Sequence, residues 1–135
     1  MTRHVIIIGG GRVGRRVAEQ LSEERNAVTI VERDHERCEQ VSPKVHNVIA
    51  GDGTDDSILE RAGLAEADVV AALTDDTGVN LEICETVSEN GTDVRTILRI
   101  SEDGERDYGH RRFVDEIVYP AAAAADVAVN RISRH

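Results

Sequence analysis

Residues 4–14 read HVIIIGGGRVG, and this stretch decides the fold. His4–Ile8 is apolar and β-branched after its first residue, the pattern of a strand buried on both faces. Gly9-Gly10-Gly11-Arg12-Val13-Gly14 follows at once and fits G-x-G-x-x-G. Beyond it Val13, Val17 and Leu21 recur every fourth residue among Arg, Glu and Gln, which predicts a helix with one core-facing stripe. A glycine motif alone says little, but between a buried strand and an amphipathic helix each glycine has a task. Gly9 permits the tight turn, Gly11 lets the backbone approach a pyrophosphate, and Gly14 lets the helix pack closely on the strand. The unpaired amides at the helix start then meet the anion with the favourable end of the helix dipole.

The rest of the chain repeats this alternation. Ala27–Glu32 (AVTIVE) reads as a second strand, and residues 45–50, 67–73, 94–100 and 116–119 as the third to sixth. Helices are expected over residues 34–41, ended by Ser42-Pro43, and over 55–62, with Gly63 as cap. A longer helix over residues 77–90 carries Val79, Ile83 and Val87 on one face and closes at Gly91. Residues 103–112 are polar and weakly helical, and residues 121–132 form an alanine-rich helix behind Pro120. Six strands alternating with helices give an α/β fold: a Rossmann-type doubly wound parallel six-stranded sheet with helices on both faces. Residues 1–135 are expected to form one domain, without linker or internal repeat. The five alanines at 121–125 suit a closely packed helix, or alternatively a contact surface.

Composition narrows the function classes. Hydrophobic residues make up 40% of the chain and aromatic ones 2%, so the core must be built from Val, Ile, Leu and Ala. No apolar run approaches the roughly 18 residues that a membrane span needs. Residues 5–8 are too short for a signal peptide. The expected location is therefore the cytoplasm, without direct membrane insertion. Cys38 and Cys84 belong to no CxxC pair and are expected to be buried free thiols. The five histidines are scattered, offer no metal spacing, and are expected at the surface. The formal net charge is −10, with Lys44 the only lysine. Such a surface argues against nucleic acid as a partner and resembles those of salt-loving organisms, where counterions screen self-repulsion.

The candidate site collects at strand ends. Glu32 closes the second strand, where an acid accepts hydrogen bonds from both ribose hydroxyls and repels a 2′-phosphate. That favours NAD(H) over NADP(H), although Arg33 beside it could cradle such a phosphate. Gly51-Asp52-Gly53-Thr54 follows the third strand, and Thr74-Asp75-Asp76-Thr77 follows the fourth, which ends at Leu73. In the strand order 3-2-1-4-5-6, the carboxyl ends of strands one to four bring these motifs around one crevice at the topological switch point. Each cluster taken singly is an ordinary turn or helix cap, since Asp and Thr are common N-cap residues.

Taken together, GGGRVG, AVTIVERD and VIAGDGTDDSILERAGLAEADVVAALTDDTGVN resemble the TrkA-N domain, the N-terminal half of the RCK modules that regulate potassium channels and transporters. The resemblance covers nearly the whole chain and implies a regulatory sensor of NAD(H), or of ATP and ADP, rather than an enzyme. It implies that Arg12, with Gly9, Gly10, Gly11, Val13 and Gly14 around it, meets phosphates, and that Glu32 meets the adenosine ribose. Asp52, Gly53 and Thr54 would take the adenine end. Thr74 and Asp75, beside Leu73, would face the remaining phosphate or second ribose, with Arg99 contributing from the fifth strand. A potassium channel or transporter subunit is the implied membrane partner, placing the protein peripherally at the inner face. A homodimer or higher ring is expected, with the region of strands four to six or the 121–132 helix as contact. Members of the family usually continue into a second ligand-binding domain.

The alternative is the cofactor domain of an NAD-dependent oxidoreductase that lacks its substrate domain. Such an enzyme needs a proton donor or acceptor beside its substrate. Tyr108 is followed at the fourth place by Arg112, so the Tyr-x-x-x-Lys pair of short-chain dehydrogenases is absent. No catalytic residue is assigned.

Overall fold

Side chains alternate along each strand, and the two sets of apolar residues build two separate cores. In the computed structural model, which describes residues 3–90, 93–100 and 112–134, β1 (His4–Ile8) sends Ile6 and Ile8 to one face and Val5 and Ile7 to the other. Around it lie β2 (Ala27–Glu32), β3 (Asn47–Ala50), β4 (Val69–Ala72), β5 (Arg95–Arg99) and β6 (Glu116–Val118). All five pairings are parallel, in the order β3-β2-β1-β4-β5-β6. This is the order expected from the alternation, and it places the switch point between β1 and β4.

The helices are α1 (Arg12–Glu23), α2 (His35–Val41), α3 (Asp56–Arg61), α4 (Thr77–Glu89) and α5 (Pro120–Ser133). Val13, Val17, Ala18 and Leu21 of α1 and Val41 of α2 pack with Val5, Ile7, Val28 and Ile30. On the opposite face Leu59 of α3 and Ile83, Cys84 and Val87 of α4 pack with Ile6, Ile8, Val31, Val70 and Leu98. Both cysteines are buried free thiols, as composition led one to expect, and burial pushes Cys84 up to about 12.

Two strands start later than the apolar pattern predicts. Val45 still donates its amide to Val41 O at 3.2 Å, so it closes α2 instead of opening β3. Ala67 donates to Leu64 O at 3.2 Å and closes a single 3-10 turn, Leu64–Glu66, that the pattern does not reveal. Gly63 precedes that turn at φ +92°, the left-handed position glycine adopts at low cost. Gly91 and residues 103–111 lie outside the described residues. The close packing expected of the alanine-rich segment does not occur: no residue of α5 is buried, and Ile132 is 80% exposed.

Candidate functional site

Three helices bring their own N-terminal acceptor. Asp34 accepts from the Glu36 amide at 2.8 Å, Asp55 from the Ser57 amide at 2.9 Å, and Asp76 from the Val79 amide at 3.1 Å. Each stabilises its helix start by satisfying an orphan donor. The start of α1 is different. Its N-cap is Gly11, in extended conformation, and no side chain caps it. The first intrahelical donation is from Arg15 N to Gly11 O at 2.8 Å, so the amides ahead of it point outward.

What they point into is a crevice of about 550 Å³ at the carboxyl ends of β1 to β5. Gly9, Gly11, Arg12 and Val13 form its floor; Glu32 and Arg33 stand on the β2 side. Asp52 and Gly53 close it beyond β3, while Leu73, Thr74, Asp75 and Arg99 close the β4–β5 side. Twelve of the fifteen residues expected at the site therefore share one cavity. Four arginines (12, 33, 37 and 99) stand in its lining against four carboxylates (32, 52, 75 and 76). In a chain of net charge −10 this leaves the crevice locally balanced, which suits an anion that the rest of the surface repels.

The other three residues act at one remove. Gly14 is packed so tightly that a Cβ would lie 1.8 Å from Gly9 O, and Gly9 itself sits at φ +108°. Gly10 donates its amide to Glu32 Oε1 at 2.7 Å. Thr54 turns away from the cavity lining and onto Asp52, donating to Oδ1 from its amide at 2.9 Å and its hydroxyl at 2.8 Å. Those two bonds hold the Asp52 carboxyl below its ordinary range, with help from the Arg33 charge. Thr54 thus orients an acid of the site and contributes no wall of its own.

Glu32 is 6% exposed and already engaged. Besides the Gly10 bond, its Oε2 accepts from the Asp34 amide at 2.7 Å, and Arg37 Nη1 stands 3.9 Å from Oε1. A carboxylate offers about four lone-pair sites, so acceptor capacity remains for a diol, but the same group also ties the glycine loop to β2.

Two residues absent from the sequence expectation matter here. Arg37 enters from α2, three residues past the Asp34 cap, a position that only the helix direction reveals. Asn80, fully buried on α4, accepts from the Thr74 hydroxyl at 2.6 Å and the Thr74 amide at 3.1 Å. Its amide nitrogen donates to Thr74 O and to Arg99 O, each at 3.0 Å. Asn80 thereby fixes the loop after β4 to the end of β5. A polar residue on the apolar 79/83/87 face was the available signal. Arg99 Nη1 donates to Leu73 O at 3.2 Å, while its Nε is the single fully buried side-chain nitrogen or oxygen without a partner among the described residues. No histidine lines the crevice, and no group of three or more metal-ligating side chains occurs among the described residues.

Comparison with known proteins bears on the family and the fold. The family model of the TrkA-N domain matches residues 5–120. The Trk system potassium uptake protein TrkA homolog of Pyrococcus abyssi is 36% identical over 137 residues, covering 97% of this chain and 59% of that protein. The chain thus spans about three-fifths of the length of that relative. Among solved structures, the TrkA-N domain of the Escherichia coli inner membrane protein ybaL superposes with a TM-score of 0.84 at 20% identity, covering 96% of both chains. The GsuK channel bound to NAD gives 0.72 at 19% identity, over 87% of this chain and 21% of that one; GsuK bound to ADP gives 0.78 at 24%, over 95% and 33%. At such identities these likenesses speak for the fold. The family match covers most of the chain and the Pyrococcus relative nearly all of it, and on that ground the chain belongs to the TrkA-N domain family.

Proposed function

We propose that this domain binds an adenine nucleotide in the crevice, NAD(H) in the first place and ADP or ATP as the alternative. Its occupancy would regulate potassium transport by a membrane partner on the cytoplasmic side. The observation that carries the reading is the uncapped start of α1, opening into a cavity rimmed by Glu32. The pyrophosphate lies on the amides around Gly11 and Val13, with Arg12 reaching over it. Glu32 takes the adenosine ribose and disfavours a 2′-phosphate. Asp52 and Gly53 border the adenine, and Thr74, Asp75 and Arg99 face the distal half of the ligand. GsuK structures bound to NAD and to ADP give a precedent within the same fold for both ligand types. Homologues are named for potassium uptake, which favours a regulatory role over hydride transfer.

A ligand shifts a partner only through different affinity for two states of the protein. The exposed helix α5 is the element we assign to contact with a second copy, making a homodimer the smallest regulatory unit. Sedimentation showing only monomer at all concentrations would contradict that assignment.

The test is a thermal-shift titration in high KCl with NADH, NAD⁺, NADPH, ATP, ADP and cyclic nucleotides. A ligand at about 100 times its Kd adds roughly 2.7 kcal/mol, readily seen as a rise in Tm. Stabilisation by NADH or NAD⁺ but not NADPH is expected. ATP and ADP prevailing would keep the site and change the signal to energy charge; no response to any nucleotide would refute the reading.

A further inference from the structure

The opposite end of the sheet holds a second cleft, of about 430 Å³, between the amino ends of β1 to β3 and the last turn of α3. Alternation puts His4, Thr29, Asn47 and Ile49 on the face of the sheet that carries Ile6 and Val31. The short helix α3 covers only part of that face, because it ends at Arg61. Beside three apolar residues, its lining holds five whose side chains can donate a hydrogen bond: His4, Thr29, His46, Asn47 and Arg61. None of its lining residues is acidic, although acids outnumber bases 26 to 16 in the chain. Arg61 makes no ion pair among the described residues.

Thr29 singles this cleft out. It is 3% exposed, on a strand paired on both sides, and its hydroxyl takes part in no hydrogen bond among the described residues. Among the described residues Arg99 Nε is the one sealed side-chain nitrogen or oxygen without a partner, so the Thr29 oxygen is not sealed and opens into the cleft. A buried polar group left unpaired is unfavourable, and native structures provide such groups with partners. Donors arriving from three strands and a helix, with a guanidinium among them, match an acceptor that carries several oxygens and negative charge.

We infer that the cleft framed by Thr29, His46, Asn47 and Arg61 is a second ligand site, for a free phosphate-type oxyanion, separate from the nucleotide crevice. Asp68, which accepts the His4 backbone amide at 2.8 Å, does not line the cleft.

Potassium phosphate titrated into the isotopically labelled protein against KCl at constant ionic strength tests this by NMR. The expected result is saturable movement of the Thr29, His46 and Asn47 signals, independent of any movement at residues 9–14. Arg61→Gln should weaken that binding about tenfold, the loss of one charge-assisted hydrogen bond. Thr29→Val keeps the β-branched shape and removes the hydroxyl, so it should weaken binding several-fold while Tm holds or rises. Movement confined to residues 9–14, non-saturating drift, or unchanged affinity in Arg61→Gln would overturn the assignment.

Discussion

Two of the helices that border the crevice, α1 and α4, begin in opposite ways. At the start of α4 the chain satisfies itself: Asp76 caps the first turn, and Asn80 spends all four of its hydrogen-bonding positions on Thr74 and Arg99. At the start of α1 the cap is a glycine and the amides face open space. The bonds of Asn80 to Thr74 and Arg99 brace this wall irrespective of any ligand. The other wall leaves the α1 amides open, and its loop is tied to β2 by the Gly9 amide on Val31 O at 2.8 Å and the Gly10 amide on Glu32 Oε1 at 2.7 Å. The difference separates scaffold from binding surface within a single cavity.

Breaking the common foundation should have the largest effect. Gly14→Val would drive side-chain atoms into the Gly9 carbonyl, and we expect a loss beyond about 4 kcal/mol, enough to abolish cooperative unfolding in a urea titration. A native-like transition would show that α1 can move off the strand. Next comes the rigid wall. Asn80→Ala should cost about 3 kcal/mol, because the Thr74 and Arg99 carbonyls are left unpaired in a site that is largely buried. A midpoint shift equal to that of an exposed substitution would mean that the wall is held elsewhere.

Asp76→Ala removes the cap together with one carboxylate of the crevice lining and should cost about 1 kcal/mol of stability, read as a modest fall in Tm. Smallest is the effect of Asp52, whose folded carboxyl titrates below its ordinary range. Its contribution to stability is present above the unfolded value of about 3.9 and is lost as pH falls through the depressed folded value. Asp52→Asn should therefore lower stability slightly in the neutral region and flatten the acid limb, with little change at pH values below the depressed folded value. An unaltered acid limb would remove Asp52 from the account.

How much of this was legible beforehand follows the same division. The apolar pattern identified every strand and α-helix of the described residues, including β3 and β6, which carry no fully buried residue, and α5, which buries none. The 3-10 turn at Leu64–Glu66 escaped, since three residues carry no period. The alanine run suggested close packing, yet α5 makes no buried contact; small residues fit a core or a surface equally well, and only tertiary structure decides. At the site, glycines and strand-end acids were visible because their tasks are local. Thr54, expected at the adenine end with Asp52 and Gly53, is bonded to Asp52 and lies outside the crevice lining, a difference that sequence does not display. Arg37 and Asn80 were missed because their roles depend on which way a helix presents them.

The central claim is that the open amides at Gly11 are the seat of the nucleotide phosphates, and Gly11→Asp tests it most directly. Gly11 sits at φ −78°, and a Cβ there would meet only Arg37 Nη1 at 3.8 Å, so an aspartate fits and supplies the missing cap. Calorimetric titration of NADH into the native protein and this variant, with Tm recorded for both, is the decisive measurement. The account predicts that Tm holds or rises by the effect of a cap, about 1 kcal/mol, while affinity falls by at least about 100-fold. Equal affinity in the two proteins would place the phosphates elsewhere and contradict the account.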